Sequence, residues 1–282
     1  MPFQVFEAQS KSILSPTTGF IAQAGFTHSL SPARNCTFAC SYCYVPTMRI
    51  YAGLRPDDWR HWGQFTTFKT NAADLLQDQD HTEQRIYCSP LVDPYQPAEE
   101  EARLMPGILD ALLAHPPRVL ALQTRGPLIL RDLAKLVDVS RRADLRVSFS
   151  LTTNRESVRK LYEPHCATIE TRVDVIRQLR SAGIRTFATL APILPCDPDE
   201  LAALALDATD QDIIGDPLHV RAAKPRGATT RETAFAISQR HEFSAWLHPE
   251  YQAEIVARIG RAVTRAGRRF GTGPEAFGWL AQ

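Results

Sequence analysis

Short runs of apolar and β-branched residues alternate with longer helical patterns along most of this chain, and that alternation confines it to parallel βα units. The runs are His28-Ser29-Leu30, Arg85-Ile86-Tyr87-Cys88, Val119 to Thr124, Leu145 to Leu151 and Arg185 to Ala191, with a further short one at Ile213-Ile214. Leu130, Leu133 and Leu136 fall at helical spacing, as do Ile169, Val173, Ile176 and Leu179, and each set predicts a one-sided helix packed on a sheet. Gly183 reads as the C-cap of the second helix, Ile184 to Leu190 as the next strand, and Pro192 and Pro195 as its end. Five or six strands fall short of the eight that close a barrel. The expected fold is therefore α/β, a partial open (β/α)6-type barrel (an incomplete TIM barrel) with a C-terminal helical extension. Residues 1–27 read as an extended N-terminal arm, broken by Pro16 and Gly19, that packs across the barrel mouth or floor. Residues 28–229 form the partial barrel. Residues 230–282 form the extension packed on the same domain, helical from Thr230 to Arg269 with Tyr251, Ile255, Ile259 and Val263 on one stripe.

With 282 residues, 44% of them hydrophobic, the chain can fold on core burial alone. Its 32 Lys and Arg against 31 Asp and Glu leave a net charge of +1, so overall charge gives no argument for a polyanionic partner. No apolar stretch approaches the ~20 residues that span a bilayer, and Met1-Pro2-Phe3-Gln4 lacks a signal-peptide start. A cytoplasmic protein without a membrane partner is expected. In that reducing compartment the six cysteines are not expected to pair as disulfides, and the clustered ones are expected to serve as metal ligands or reactive thiols.

Three of them stand in Asn35-Cys36-Thr37-Phe38-Ala39-Cys40-Ser41-Tyr42-Cys43-Tyr44, a CxxxCxxC spacing just after the first strand run. Thiolates are the preferred ligands of iron–sulfur clusters, and a compact loop can aim three of them at one cube while leaving the fourth iron open. The alternatives are a structural zinc site completed by His28, His61 or Cys88, or three unrelated buried cysteines.

This loop resembles that of the radical S-adenosylmethionine superfamily, in which an aromatic residue precedes the third cysteine, as Tyr42 does here. The resemblance implies a [4Fe–4S] cluster on Cys36, Cys40 and Cys43, with S-adenosylmethionine chelating the open iron. It further implies one-electron cleavage of that cofactor to a 5′-deoxyadenosyl radical, and a reducing electron donor such as flavodoxin or ferredoxin. Further segments resemble the spore photoproduct lyase-like (DNA repair photolyase-like) branch. They are Asp93-Pro94-Tyr95-Gln96-Pro97 with Glu99, Gln123-Thr124-Arg125, Arg146 to Thr153, Tyr162-Glu163-Pro164, Arg172 and Leu190-Ala191-Pro192-Ile193.

Carried over residue by residue, the resemblance assigns Tyr42, Arg125, Ser150, Glu163, Arg172 and Ala191 to cofactor binding, with Arg125, Ser150 and Ala191 at strand ends, where βα folds build their sites. Each has a plainer reading. Arg125, where the lyases have Lys, either forks onto the cofactor carboxylate or joins an ordinary ion pair. Ser150 either contacts the cofactor amino acid or ribose, or turns onto its own backbone. Ala191 either admits adenine by close approach or is a buried strand terminus. Glu163 and Arg172 either shape the cofactor pocket as a pair or form a purely structural salt bridge. Asp93 and Glu99 either bind substrate or cap the helix beginning near Ala98. Cys88 lies near the position of the lyases' hydrogen-donating thiol, or is inert core as Cys166 and Cys196 are expected to be. Tyr44 and Tyr95 either relay hydrogen or stack on a base, or are core or lid aromatics.

The implied function is hydrogen abstraction from a substrate, a DNA lesion or nucleotide as in the lyase branch. A small metabolite or peptide is the alternative within the class, and a non-catalytic metal-binding or electron-transfer protein the alternative outside it. Arg258, Arg261, Arg265 and Arg268, with Arg269 adjacent, either track a phosphate backbone or form a solvated helix face.

Overall fold

The apolar runs become neighbouring strands because helical crossovers return the chain to the same edge of a growing sheet. The computed structural model describes residues 3–47, 61–77, 79–219 and 232–282. In chain order the strands are β1 (Gln4–Ala8), β2 (Leu14–Pro16), β3 (His28–Leu30), β4 (Ala33–Arg34), β5 (Phe65–Lys69), β6 (Arg85–Cys88), β7 (Val119–Thr124), β8 (Asp144–Ser150), β9 (Arg185–Ile193), β10 (Ile213–Pro217) and β11 (Phe270–Thr272). They form a small sheet, β1-β5-β4, and a large one, β11-β10-β9-β8-β7-β6-β3-β2.

The six strands read from the sequence, β3 and β6 to β10, lie side by side and parallel. Among the described residues this sheet does not close, so the fold is the expected partial barrel. β2 runs antiparallel to β3 at one edge and β11 parallel to β10 at the other. Pro192 does not end β9. The pairing with β10 shifts register between Gly215 and Pro217, and at such an irregularity no ladder N–H is required of a proline. The expected extension holds the helices Glu232–Arg240 and Pro249–Arg265 and then β11, which joins the large sheet. Its expected start at Thr230 lies outside the described residues.

Alternation along the strands sorts two layers. Ile86, Cys88, Leu122, Val147 and Phe149 pack under the helices that carry Met105, Ile108, Leu136 and Ile176. Tyr87, Ala121, Phe187 and Ile214 face the other way, where Phe26, Phe277 and Leu280 plug the floor. The Phe26 and Tyr87 rings meet edge to face at 4.8 Å. Arg146 fastens the plug by donating to the carbonyls of Leu280 and Gln282 at 3.2 and 2.6 Å. Toward the strand C-termini the inner face turns polar. Tyr87 donates to Gln123, and Ser148 and Thr189 share a hydrogen bond of 2.6 Å. The same strands thus supply an apolar floor and a polar mouth.

Gly126, just past β7, packs so closely on the carbonyl of Tyr95 that a Cβ would overlap it. Gly126→Ala is therefore expected to destabilise the fold by roughly 1–3 kcal/mol. Urea unfolding checks this, and a variant with the wild-type midpoint would contradict the contact.

Candidate cofactor-binding site

The cysteine loop leaves β4 and is tied down from three sides. Thr66 on β5 donates its hydroxyl to the carbonyls of Arg34 and Asn35 at 3.0 and 3.1 Å. From the Asp-Pro-Tyr-Gln-Pro turn, Gln96 accepts from the Thr37 N–H at 2.8 Å and hydroxyl at 3.1 Å. The N–H of Ser41 donates to the Tyr162 carbonyl at 2.9 Å. The loop can follow this path because Asn35 and Ala39 adopt left-handed φ values of 62° and 54°. Gly63, at φ 90°, lies against Ala39 where a Cβ would overlap. Cys36, Cys40 and Cys43 pack around one apolar cluster with Phe38, Tyr162 and Leu194.

Behind the loop is a buried charged network. Tyr42 donates its phenol to Glu163 Oε1 and accepts from Arg125 Nη1. Arg125 Nη1 also reaches Glu163 Oε1 at 2.5 Å, and Arg172 Nη2 reaches Oε2 at 2.5 Å. Thr152, just past β8, donates to Oε1 at 3.0 Å. Burial alone would raise the pKa of Glu163, but Arg172 and then Arg125 overcome it and hold the carboxyl at about 2. Burial pushes the Tyr42 phenol well above its usual value. Two guanidinium groups against one carboxylate leave a surplus positive charge, and Arg125 keeps part of its side chain exposed at the mouth.

The other expected site residues divide. Ser150 ends β8 on the inner face, and its hydroxyl is buried without a hydrogen-bond partner. Ala191 packs against the inner-face cluster. Asp93 Oδ1 accepts from the Tyr95 N–H at 2.9 Å and the Thr124 hydroxyl at 2.6 Å, and Oδ2 accepts from the Arg125 N–H at 2.8 Å. Burial raises its pKa despite these donors. Asp93 therefore fixes the end of β7 rather than capping the helix Glu99–Ala102, which has no side-chain cap. Glu99 is fully buried. Its oxygens accept from the N–H groups of Met105 (2.9 Å) and Leu104 (3.2 Å) and from Arg131 (2.9 Å), so it caps the next helix and not its own. Tyr44 donates to the Pro90 carbonyl at 2.9 Å, and burial raises its pKa.

Cys88 and Tyr95 are turned into the main core beneath the helices, away from the inner face that carries Gln123 and Ser150. Burial pushes the Cys88 thiol up to about 12. Cys166 shares the apolar cluster with Cys40 of the cysteine loop, and its thiol is the leading influence lowering the Cys40 pKa. His28 and His61 hydrogen-bond Thr27 and Gln64 through Nδ1. Among the described residues no three His, Cys, Asp or Glu side chains are grouped to hold a single metal ion. The C-terminal arginines are largely occupied within the chain. Arg258 Nε donates to Asp199 at 2.9 Å, Arg269 Nε to Asp212 at 2.7 Å and Arg268 to the Thr209 carbonyl at 3.3 Å.

A model of the Radical SAM superfamily matches residues 30–208, more than half of the chain and the strands from β4 to β9. The chain belongs to the radical SAM superfamily. The family implies S-adenosylmethionine and an iron–sulfur cluster as cofactors, and the residues fit them. Three cysteines packed on one apolar cluster suit an iron–sulfur cluster, whose irons each need only one of them, and the Arg125 guanidinium and the orphaned Ser150 hydroxyl suit an amino-acid carboxylate. The chain is 28% identical over 232 residues to an uncharacterized protein of Mycobacterium tuberculosis, covering 80% of this chain but 65% of that relative's length. It is 26% identical over 192 residues to a protein of Methanocaldococcus jannaschii, 68% of each. Two structures of spore photoproduct lyase, a point mutant and a complex with dinucleoside spore photoproduct, share the fold with TM-scores of 0.63 and 0.62. Their identities are 15% and 14%, over 95% of this chain and 81% of theirs.

Thr152 and Gln96 stand inside the family-like segments with no local signal of what they bond, and no pattern marks Cys166, read as inert core, as a neighbour of Cys40.

Replacing the buried acceptor tests the network. Glu163→Gln leaves two buried guanidinium groups without a counter-charge and is expected to destabilise the fold by about 3–5 kcal/mol. The folded carboxyl, at about 2, lies below its ordinary value of 4.5, so the folded state binds fewer protons than the unfolded one. Its stabilisation is complete above pH 4.5 and is lost as the pH falls toward 2. Thermal unfolding across that window should show the wild type losing stability and the variant losing less. Equal slopes would refute the assignment.

Proposed function

We propose that this protein is a radical S-adenosylmethionine enzyme whose Cys36, Cys40 and Cys43 hold a [4Fe–4S] cluster, and that it acts on a nucleic-acid lesion or a related nucleotide. The observation that carries this is the CxxxCxxC loop braced against the Tyr42–Glu163–Arg125 network at the C-terminal mouth of a parallel partial barrel. Held by Cys36, Cys40 and Cys43, a reduced cluster would supply the one electron that splits S-adenosylmethionine into methionine and a radical able to take a hydrogen atom from the substrate.

The chain's own residues do the rest. Arg125 offers its free edge to the methionine carboxylate while Glu163 fixes its other edge. Ser150 supplies a hydroxyl to the cofactor, and Ala191 leaves room for adenine beside the strand end. The apolar floor of Phe26, Phe277 and Leu280 excludes water from beneath the mouth. Above it, the Tyr87–Gln123 and Ser148–Thr189 pairs make an uncharged polar wall, which suits a base better than a charged group. The nucleotide reading is supported by the shared fold with spore photoproduct lyase, a protein solved with a dinucleoside lesion bound. The pairing of Arg258 and Arg269 with acidic residues favours a substrate of nucleotide size over one gripped along a phosphate backbone. The electron comes from a low-potential donor such as flavodoxin or ferredoxin.

The experiment is anaerobic reconstitution, followed by electron paramagnetic resonance of the reduced protein with and without S-adenosylmethionine and chromatography for 5′-deoxyadenosine. The expected result is a [4Fe–4S] signal perturbed by the cofactor, with deoxyadenosine release that rises on adding a dinucleotide photoproduct. Cys40→Ala should abolish both signal and release. Ser150→Ala should retain the cluster and weaken cofactor binding severalfold. Stoichiometric zinc without a cluster would sink the class, and stimulation by peptides or small metabolites alone would sink the nucleotide substrate.

A further inference from the structure

Among the described residues, six buried side-chain atoms lack a hydrogen-bond partner, and three of them belong to the cysteine loop or to the segment packed on it. These are Asn35 Oδ1, Ser41 Oγ and Trp62 Nε1. Asn35 Oδ1 is an acceptor and has nothing to offer an electron-rich ligand. The other two are donors on side chains more than nine-tenths buried, with Ser41 6% and Trp62 7% exposed. Trp62 and Val45 form a small apolar cluster on which Cys36 and Cys43 both pack. Its neighbour Gly63 touches Ala39 of the loop so closely that no Cβ fits between them. Ser41 sits between Cys40 and Cys43 in sequence. Its N–H is taken by the Tyr162 carbonyl, while its hydroxyl is unused.

A buried donor without an acceptor costs roughly 1–3 kcal/mol, and native structures rarely leave two at one loop. An acceptor belonging to the loaded protein resolves both. The cysteine thiolates and inorganic sulfides of an iron–sulfur cluster are such acceptors, and hydrogen bonds to them are a principal control on reduction potential. We propose that the Trp62 indole N–H and the Ser41 hydroxyl donate hydrogen bonds to the sulfur atoms of the cluster and raise its reduction potential. Both are positioning residues, because they act through the cluster and not on the substrate. Donors favour the reduced form, which carries one more negative charge, so their loss shifts the couple toward oxidation. The inference rests on the assignment of Cys36, Cys40 and Cys43 as cluster ligands.

The test is a potentiometric titration of the reconstituted protein followed by electron paramagnetic resonance, with iron and sulfide content measured alongside. Trp62→Phe keeps an aromatic ring and removes the N–H, and Ser41→Ala removes the hydroxyl. Loss of one hydrogen bond of about 1 kcal/mol changes the ratio of oxidised to reduced cluster roughly fivefold at fixed potential. For a one-electron couple that is a midpoint about 40 mV more negative. Each variant is expected to show this shift at full iron content. Wild-type midpoints in both variants would overturn the inference while leaving the ligand assignment intact. If Trp62→Phe fails to retain iron, Ser41→Ala decides by the same titration. Failure of the wild type itself to take up iron and sulfide would overturn the ligand assignment.

Discussion

The carboxylate of Glu163 is the point on which the mouth of this barrel depends. It is fully buried, yet it is the common acceptor for Tyr42 from the cysteine loop, Arg125 from the end of β7, Thr152 from the end of β8 and Arg172 from the following helix. Four segments far apart in sequence are therefore referenced to two oxygen atoms. A buried ion pair is weak evidence for stability, because desolvation offsets most of the Coulomb gain. Its effect here is registry. Moving any one segment leaves a charge or a phenol buried without its partner, and that is far more expensive than a shifted apolar contact.

The same network sets the electrostatics of the site. One carboxylate is shared by two guanidinium groups, so the mouth keeps a positive charge at Arg125 beside a loop whose chemistry is anionic once its thiols are deprotonated. The burial that raises Cys36 opposes that deprotonation. Metal binding, which deprotonates thiols outright, and the guanidinium charge act against it.

The large features of the fold were legible because they repeat. Runs such as Val119 to Thr124 and Leu145 to Leu151 are long enough for their burial to show in composition, and the helix stripe at Val173, Ile176 and Leu179 carries its period openly. The edge strands Leu14–Pro16 and Phe270–Thr272 are three residues long, too short for alternation to mark, and the pairing of β1 with β5 joins segments about sixty residues apart. Within the site, Glu163 with Arg172 could be named from the chain. What no sequence pattern displays is which way a side chain turns. Cys88 and Tyr87 are adjacent, and a one-residue difference sends one under the helices and the other to the inner face. The roles of Gln96 and Asp93 needed the loop and the strand end brought together in space.

That convergence explains why Asp93-Pro94-Tyr95-Gln96-Pro97 is built as it is. Asp93 binds the end of β7 through the Arg125 N–H and the Thr124 hydroxyl, and three residues later Gln96 binds the cysteine loop through Thr37. Two prolines fix the backbone between and after these contacts, so the spacing from Arg125 to the loop is set by covalent geometry over a few residues. Gly126 lets β7 approach the turn, and Tyr95 is drawn into the core beneath it. The turn is thus a short, stiff gauge between the end of β7 and the cysteine loop.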